Sequence, residues 1–134
     1  MLPGDVLYIH TGWSAHWQDP DAKKTYYTKG PSLSHHAAQF LRKKAVLLVA
    51  LDNTLTDPVF DGQLIGKQVR PEGTRVGLPI AIHHKNLAVS GIPQNQNAKL
   101  VKDQVWTSCN MILPLQSKGG SGSPVRAVAI GAPA

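Results

Sequence analysis

The sequence predicts an α/β fold, and three observations carry that expectation. A β-branched strand candidate opens the chain at Gly4–Thr11. An amphipathic helix candidate follows from Leu33 to Lys44. It runs straight into Ala45–Leu51, the longest apolar run, which has the length of a fully buried strand. A helix followed immediately by an apolar strand is an α/β pattern. The 134 residues suit one domain, 42% of them hydrophobic and only 16% charged, which excludes a globally disordered chain. No apolar run has the length of a membrane span, and Met1–Asp5 has no basic and apolar leader, so a cytoplasmic protein is expected.

Taken in order, Gly4–Thr11 reads as a strand closed by Gly12, and residues 13–30 as a loop rich in Asp, Pro, Lys, Thr and Tyr. Ser32 and Ser34 are the two N-cap candidates for the helix, because a serine oxygen can accept an otherwise unpaired backbone N–H there. Leu33, Ala37, Phe40 and Leu41 repeat at helical spacing, with the stem of Lys44 beside them. Arg42, Lys43 and Lys44 fall at the negative end of the helix dipole. Residues 53–79, with Pro58, Pro71 and Pro79 and four glycines, read as a long loop or a short hairpin. Ile80–Val89 is a short helix candidate stopped by Ser90-Gly91. Val105–Leu113 alternates, so Val105, Thr107, Cys109, Met111 and Leu113 share one face, expected to be core. Lys118–Ser123 is a turn, and Pro124–Ile130 a last strand.

The net charge of +6 reflects missing acids as much as added bases: Glu72 is the only glutamate beside seven aspartates. Apart from Lys23-Lys24 and Arg42-Lys43-Lys44, the cations are scattered, so no nucleic-acid partner is expected. The single cysteine, Cys109, excludes an intrachain disulfide and a cysteine-only zinc site, and on an apolar strand face it reads as an inert buried thiol. The glycine-rich stretch 119–123 fits neither a nucleophile elbow nor a P-loop. Chemistry therefore rests on six histidines: His10, His16, His35, His36, His83 and His84. His10, His16 and Asp19 are metal-binding residue types, but a strand-and-loop spacing of six and three does not force them onto one face. His35-His36 reads as a pair in the first turn of a helix, and of His83-His84 only one would face a given cavity.

The last third, from Pro114-Leu115 through Gly119-Gly120-Ser121-Gly122-Ser123-Pro124-Val125-Arg126-Ala127-Val128-Ala129-Ile130, resembles the C-terminus of the cyclase family of metal-dependent hydrolases. Kynurenine formamidases and isatin hydrolases belong to that family. Gly4-Asp5-Val6-Leu7-Tyr8-Ile9-His10-Thr11-Gly12-Trp13 is similar to its "GDxVLIRTGW" strand. Pro31-Ser32-Leu33-Ser34 with Ala37-Ala38 and Phe40-Leu41 is similar to its "PGLSxEAAxWL" helix, and Leu48–Asp52 to its "VGxD" strand end. His84, Leu87, Gly91-Ile92-Pro93 and Asn97 resemble its "HxxLLxxGIPxxEN" segment.

The resemblance implies a swivelling β/β/α-type fold, a mixed sheet with flanking helices, of which residues 1–134 are the C-terminal part, truncated at the N-terminus. It implies a homo-oligomer, and an arylformamidase-like hydrolase in which zinc or manganese activates water against a small-molecule amide. The family's metal motif, His-x-Gly-Thr-His-x-Asp-x-Pro-x-His, is missing. Its later ligand pair is a histidine and, twelve residues on, a glutamate. His84 matches the first position, and Gln96 occupies the second. An amide is a much poorer ligand than a carboxylate and cannot act as a general base. The expectation is therefore a truncated, catalytically impaired relative holding no metal of its own. The alternative is an amide hydrolase completed by ligands from another chain or from upstream sequence.

Overall fold

The computed structural model describes residues 1–18, 20, 22–57, 80–92, 94–95, 106–120 and 122–132. The expected loop or hairpin at 58–79 lies outside them, as do Asp19, Gln96 and Val105. The chain forms two compact units, Met1–Ala98 and Lys99–Ala134.

The first unit is built on a parallel sheet. Strand β1 (Val6–Ile9) pairs with β2 (Leu48–Leu51), and β2 with the two-residue β3 (Gln94–Asn95), in the order β1-β2-β3. A parallel pair needs a crossover, and the connection from β1 to β2 carries α2 (His35–Lys43). The expected strand–helix–strand order is thus the architecture of this unit, which is mixed α/β. The expected loop 13–30 also holds a 3₁₀ turn, Trp13–His16, and a one-turn helix, α1 (Thr25–Thr28). The expected helix at 80–89 is a turn of α-helix, α3 (Ala81–His84), that widens into a π-turn over Lys85–Val89.

Of the two cap candidates, Ser34 is the N-cap of α2: its Oγ accepts the Ala37 N–H at 3.2 Å. Ser32 instead donates to the carbonyls of Leu55 and Thr56. The buried residues of α2 are Ala38 and Leu41, whereas Phe40 lies out under the Lys44 ammonium, 5.6 Å from its ring centroid. The core joins Leu41 to Val46, Val49, Leu51 and Ile92, with Leu7, Ile9 and Leu33 packed against it. The expected fully buried strand Ala45–Leu51 is corrected to a shorter one: Val49, Ala50 and Leu51 are fully buried, but Leu48 is half-buried and Ala45 and Leu47 are exposed, because Ala45 forms the turn that leaves α2.

The turn from α2 into β2 is a Schellman motif. The Ala45 N–H reaches the Arg42 carbonyl at 3.0 Å, and the Val46 N–H reaches the Leu41 carbonyl at 3.3 Å. Val46 and Leu41 also meet in the core, the apolar contact that accompanies this motif. The motif needs a left-handed residue, and Ala45 takes it at φ 51. A Cβ in that conformation costs roughly 1–2 kcal/mol, so glycine is the usual occupant.

The second unit pairs β4 (Cys109–Met111) with β5 (Val128–Ile130), antiparallel, with Cys109 opposite Ile130 and Met111 opposite Val128. The face expected to be core is corrected here: Cys109, Met111, Leu113, Val128 and Ile130 are all exposed. Two strands bury little between them, and nothing described in this unit covers the apolar side. The thiol of Cys109 is accordingly exposed, not buried as expected.

Replacing Ala45 by glycine should stabilise the protein. Relief of the left-handed strain outweighs the roughly 0.4–1 kcal/mol of backbone entropy that glycine adds to the unfolded chain. A gain of about 0.5–1 kcal/mol in urea unfolding is expected, and a loss would mean that the turn is not strained.

Candidate functional site

Strands β1 and β2 run in register, Ile9 against Leu51, so the next residues emerge side by side at the carboxyl edge of the sheet. There Asp52 is buried at 1% exposure. A buried carboxylate is costly unless donors surround it, and the loop leaving β1 supplies them. Oδ1 accepts the Thr11 N–H at 2.8 Å and the Thr11 hydroxyl at 2.6 Å. Oδ2 accepts the Gly12 N–H at 2.9 Å and the Ser14 hydroxyl at 3.3 Å. His10 Nδ1 lies 3.1 Å from the same Oδ2. Gly12 stands at φ 79, where glycine adopts the backbone turn freely. Burial alone would push the Asp52 carboxyl up. The Thr11 hydroxyl, the Thr11 and Gly12 amides and the nearby His10 charge outweigh it and hold the group below its usual range.

A second shell closes around this carboxylate. Thr11 Oγ1 accepts the Trp13 N–H at 3.1 Å, and the Trp13 indole donates to the Tyr26 carbonyl at 3.3 Å. The fully buried Tyr26 hydroxyl reaches the Asp52 carbonyl at 3.3 Å. Burial, then the Asp52 charge and Tyr27, push that phenol up to about 12. Tyr26 is therefore a neutral donor at physiological pH.

Five residues on, Asp57 has the opposite balance. Its two oxygens accept the Ile82 and His83 N–H groups, both at 2.7 Å, so it caps the start of α3. Burial raises its carboxyl, and the two amides and the nearby His83 charge lower it without cancelling that effect. This cap places His83, half-buried, and His84, exposed, on α3.

The described histidines have different surroundings. His84 stands on α3, and Gln96, just beyond β3, lies outside the described residues. His10 turns to Asp52, while His16 stacks on Trp13 at 4.3 Å between ring centroids. His35 meets Lys85, whose Nζ is 2.6 Å from its Nε2. Among the described residues no three His, Cys, Asp or Glu side chains form a group that could hold a metal ion. The donors described here therefore do not fit a tightly held zinc or manganese ion, which needs three or more such ligands. Sequence reasoning marked Asp52 only as a strand end and missed Asp57 and Lys85. The signal for Asp52 was its position directly after the most buried strand, where a lone carboxylate needs a purpose.

Asp52→Asn should cost about 2–4 kcal/mol, because donors that faced a carboxylate then face an amide. The loss should also depend on pH. A carboxyl lowered in the fold contributes stability above its unfolded pKa of about 4, and that contribution disappears as pH falls through the folded value. Urea midpoints of the two proteins should therefore converge between about pH 7 and about pH 3. A constant gap would show that the carboxylate charge is not what stabilises the loop.

Residues 1–58 match the family model described as "Putative cyclase". No curated protein matches the chain. A crystal structure described as that of a novel cyclase shares the fold with a TM-score of 0.72 at 20% sequence identity. The superposition covers 98% of this chain and 41% of that one, so the present chain spans less than half the length of that relative. His10, the Thr11–Ser14 donors, α2, Asp52 and Asp57 all lie inside the stretch that matches the cyclase family, on a fold shared with a cyclase.

Proposed function

We propose that this chain is a cyclase-family protein of the kynurenine formamidase type, corresponding to the C-terminal portion of that family's swivelling β/β/α fold, and catalytically impaired as it stands. The observation that carries this reading is the donor set. His84 is exposed on α3, and twelve residues on, where the family places a carboxylate, the chain has Gln96. One imidazole and one amide make a poor site for a divalent transition metal. The role left to such a protein is that of a small cytoplasmic binding or oligomerising module. The single cysteine suits a reducing compartment, and no described helix is long and apolar enough to cross a membrane. A second reading draws on the 41% coverage of the solved cyclase. In it another polypeptide, or further sequence of the same protein, supplies the missing ligands, and the whole hydrolyses a small amide.

The purified chain should carry no stoichiometric zinc or manganese by elemental analysis, and it should not hydrolyse N-formylkynurenine when either metal is added. About one metal per chain, lost on His84→Ala, would overturn the first reading in favour of the second. Gln96→Glu restores the carboxylate alone, so a modest gain in metal affinity without turnover is expected.

The second unit supports self-association. Met111, Leu113, Leu115, Val128 and Ile130 are exposed together with Trp106, which is 71% accessible. Large apolar side chains exposed in such number are rarely left to solvent. In β2, Val49, Ala50 and Leu51 are fully buried and only Leu48 is half-buried, so β4 and β5 are the proposed contact. Light scattering at micromolar concentration should give at least twice the chain mass, and Met111→Lys with Ile130→Lys should lower it to one. A monomeric parent would count against this assembly.

A further inference from the structure

We propose that His10, oriented by Asp52, is a proton-accepting base for metal-independent hydrolysis of aromatic esters at the carboxyl edge of the β1–β2 pair. Open parallel sheets bind their ligands at that edge, and residues 10 and 52 follow paired strands directly. Asp52 is 2% exposed at its side chain, whereas His10 is 50% exposed. With Nδ1 held 3.1 Å from Oδ2, the nitrogen left to accept a proton is Nε2. A carboxylate–imidazole pair fixes tautomer and ring orientation in just this way in hydrolytic sites.

The four remaining hydrogen bonds to Asp52 hold the carboxylate in place without help from His10. Two of them also exclude a serine- or threonine-type nucleophile. The Thr11 and Ser14 hydroxyls both donate to Asp52, so neither offers its proton to His10. Water is then the nucleophile. It gives a proton to His10 Nε2 as its oxygen bonds to the acyl carbon. Collapse of the tetrahedral adduct breaks the bond to the aryl oxygen, and the imidazolium returns its proton to that leaving group. Asp52 stays ionised throughout and balances the transient imidazolium. The products are a carboxylic acid and a phenol. An aryl group would find its partners in the same loop, where half-buried Trp13 lies tilted against exposed His16 and Trp17 is 51% exposed.

The test is hydrolysis of 4-nitrophenyl acetate by the full chain in excess chelator, which separates it from any metal-dependent amidase activity. His10→Gln, at a half-exposed position, should lower kcat/KM by about tenfold to a hundredfold. The exposed His36→Gln should leave it unchanged. His10→Gly should regain rate on addition of imidazole beyond the rate that the same imidazole gives without protein and beyond its effect on the parent, which a merely structural role would not produce. Asp52→Asn, where circular dichroism shows the fold retained, should lower kcat more than it raises KM, as expected of a positioning residue. Parent and His10→Gln rates that agree, an equal loss in His36→Gln, or no response of His10→Gly to imidazole would each overturn the proposal.

Discussion

The first unit depends on one buried charge. A carboxylate at the end of a central parallel strand cannot be solvated by water, so the polypeptide must solvate it. Asp52 draws the segment after β1 into a fixed shape: the Thr11 and Gly12 amides, two hydroxyls and an imidazole all turn toward it. That shape seats Trp13, whose indole donates to the Tyr26 carbonyl. Tyr26 returns its hydroxyl to the Asp52 backbone. The circuit begins and ends at the same residue, which explains why a loop with little regular structure can hold a fully buried tyrosine.

The βαβ unit was legible because its signals are local and redundant. The apolar run after the cation-rich end of α2 marks a buried strand, although only its last four residues form β2 and Ala45 is spent on the turn. The serine cap was narrowed to two positions. Geometry chose Ser34, because Ser32 is already committed to the carbonyls of Leu55 and Thr56. Phe40 shows the limit of periodicity. Helical spacing puts it near the apolar face, yet Ala38 and Leu41 define the side that meets β2, and Phe40 falls beyond it. The short helix α1 and the 3₁₀ turn escaped notice because single turns of four residues, closed by a few local hydrogen bonds, leave no repeat to read. β3 escaped because two residues carry no period at all.

The second unit failed in an instructive way. Alternation over Val105–Leu113 specifies which residues share a face, and that part holds: Cys109, Met111 and Leu113 share one exposure class. What alternation cannot specify is whether that face has anything to pack against. With two three-residue strands the described part of the unit buries little, and the apolar side stays open. Most of the candidate site was illegible for a related reason. Histidines advertise themselves in a sequence, but their partners here are Asp52, Trp13 and Lys85, at distances along the chain that no spacing rule connects.

The loop after β2 completes the argument. Residues 52, 53, 56 and 57 are polar and buried, and each ties a different part of the unit to the end of the same strand. Asp52 holds the β1 loop, and Asn53 donates to the Pro31 carbonyl. The Thr56 carbonyl receives Leu33 and Ser32 at the approach to α2, and Asp57 caps α3. The two acids differ in what offsets their desolvation. Asp52 has hydroxyl and imidazole donors besides its amides and lies below the usual carboxylate range, whereas Asp57 has two amides and an adjacent histidine and burial still holds it above that range. A charge held so firmly at 52 can steady an imidazole in front of it. The group at 57 serves to start a helix. The two acids thus divide the end of one strand between them: Asp52 fixes the loop after β1 and the imidazole of His10, and Asp57 fixes the first turn of α3, which carries His83 and His84.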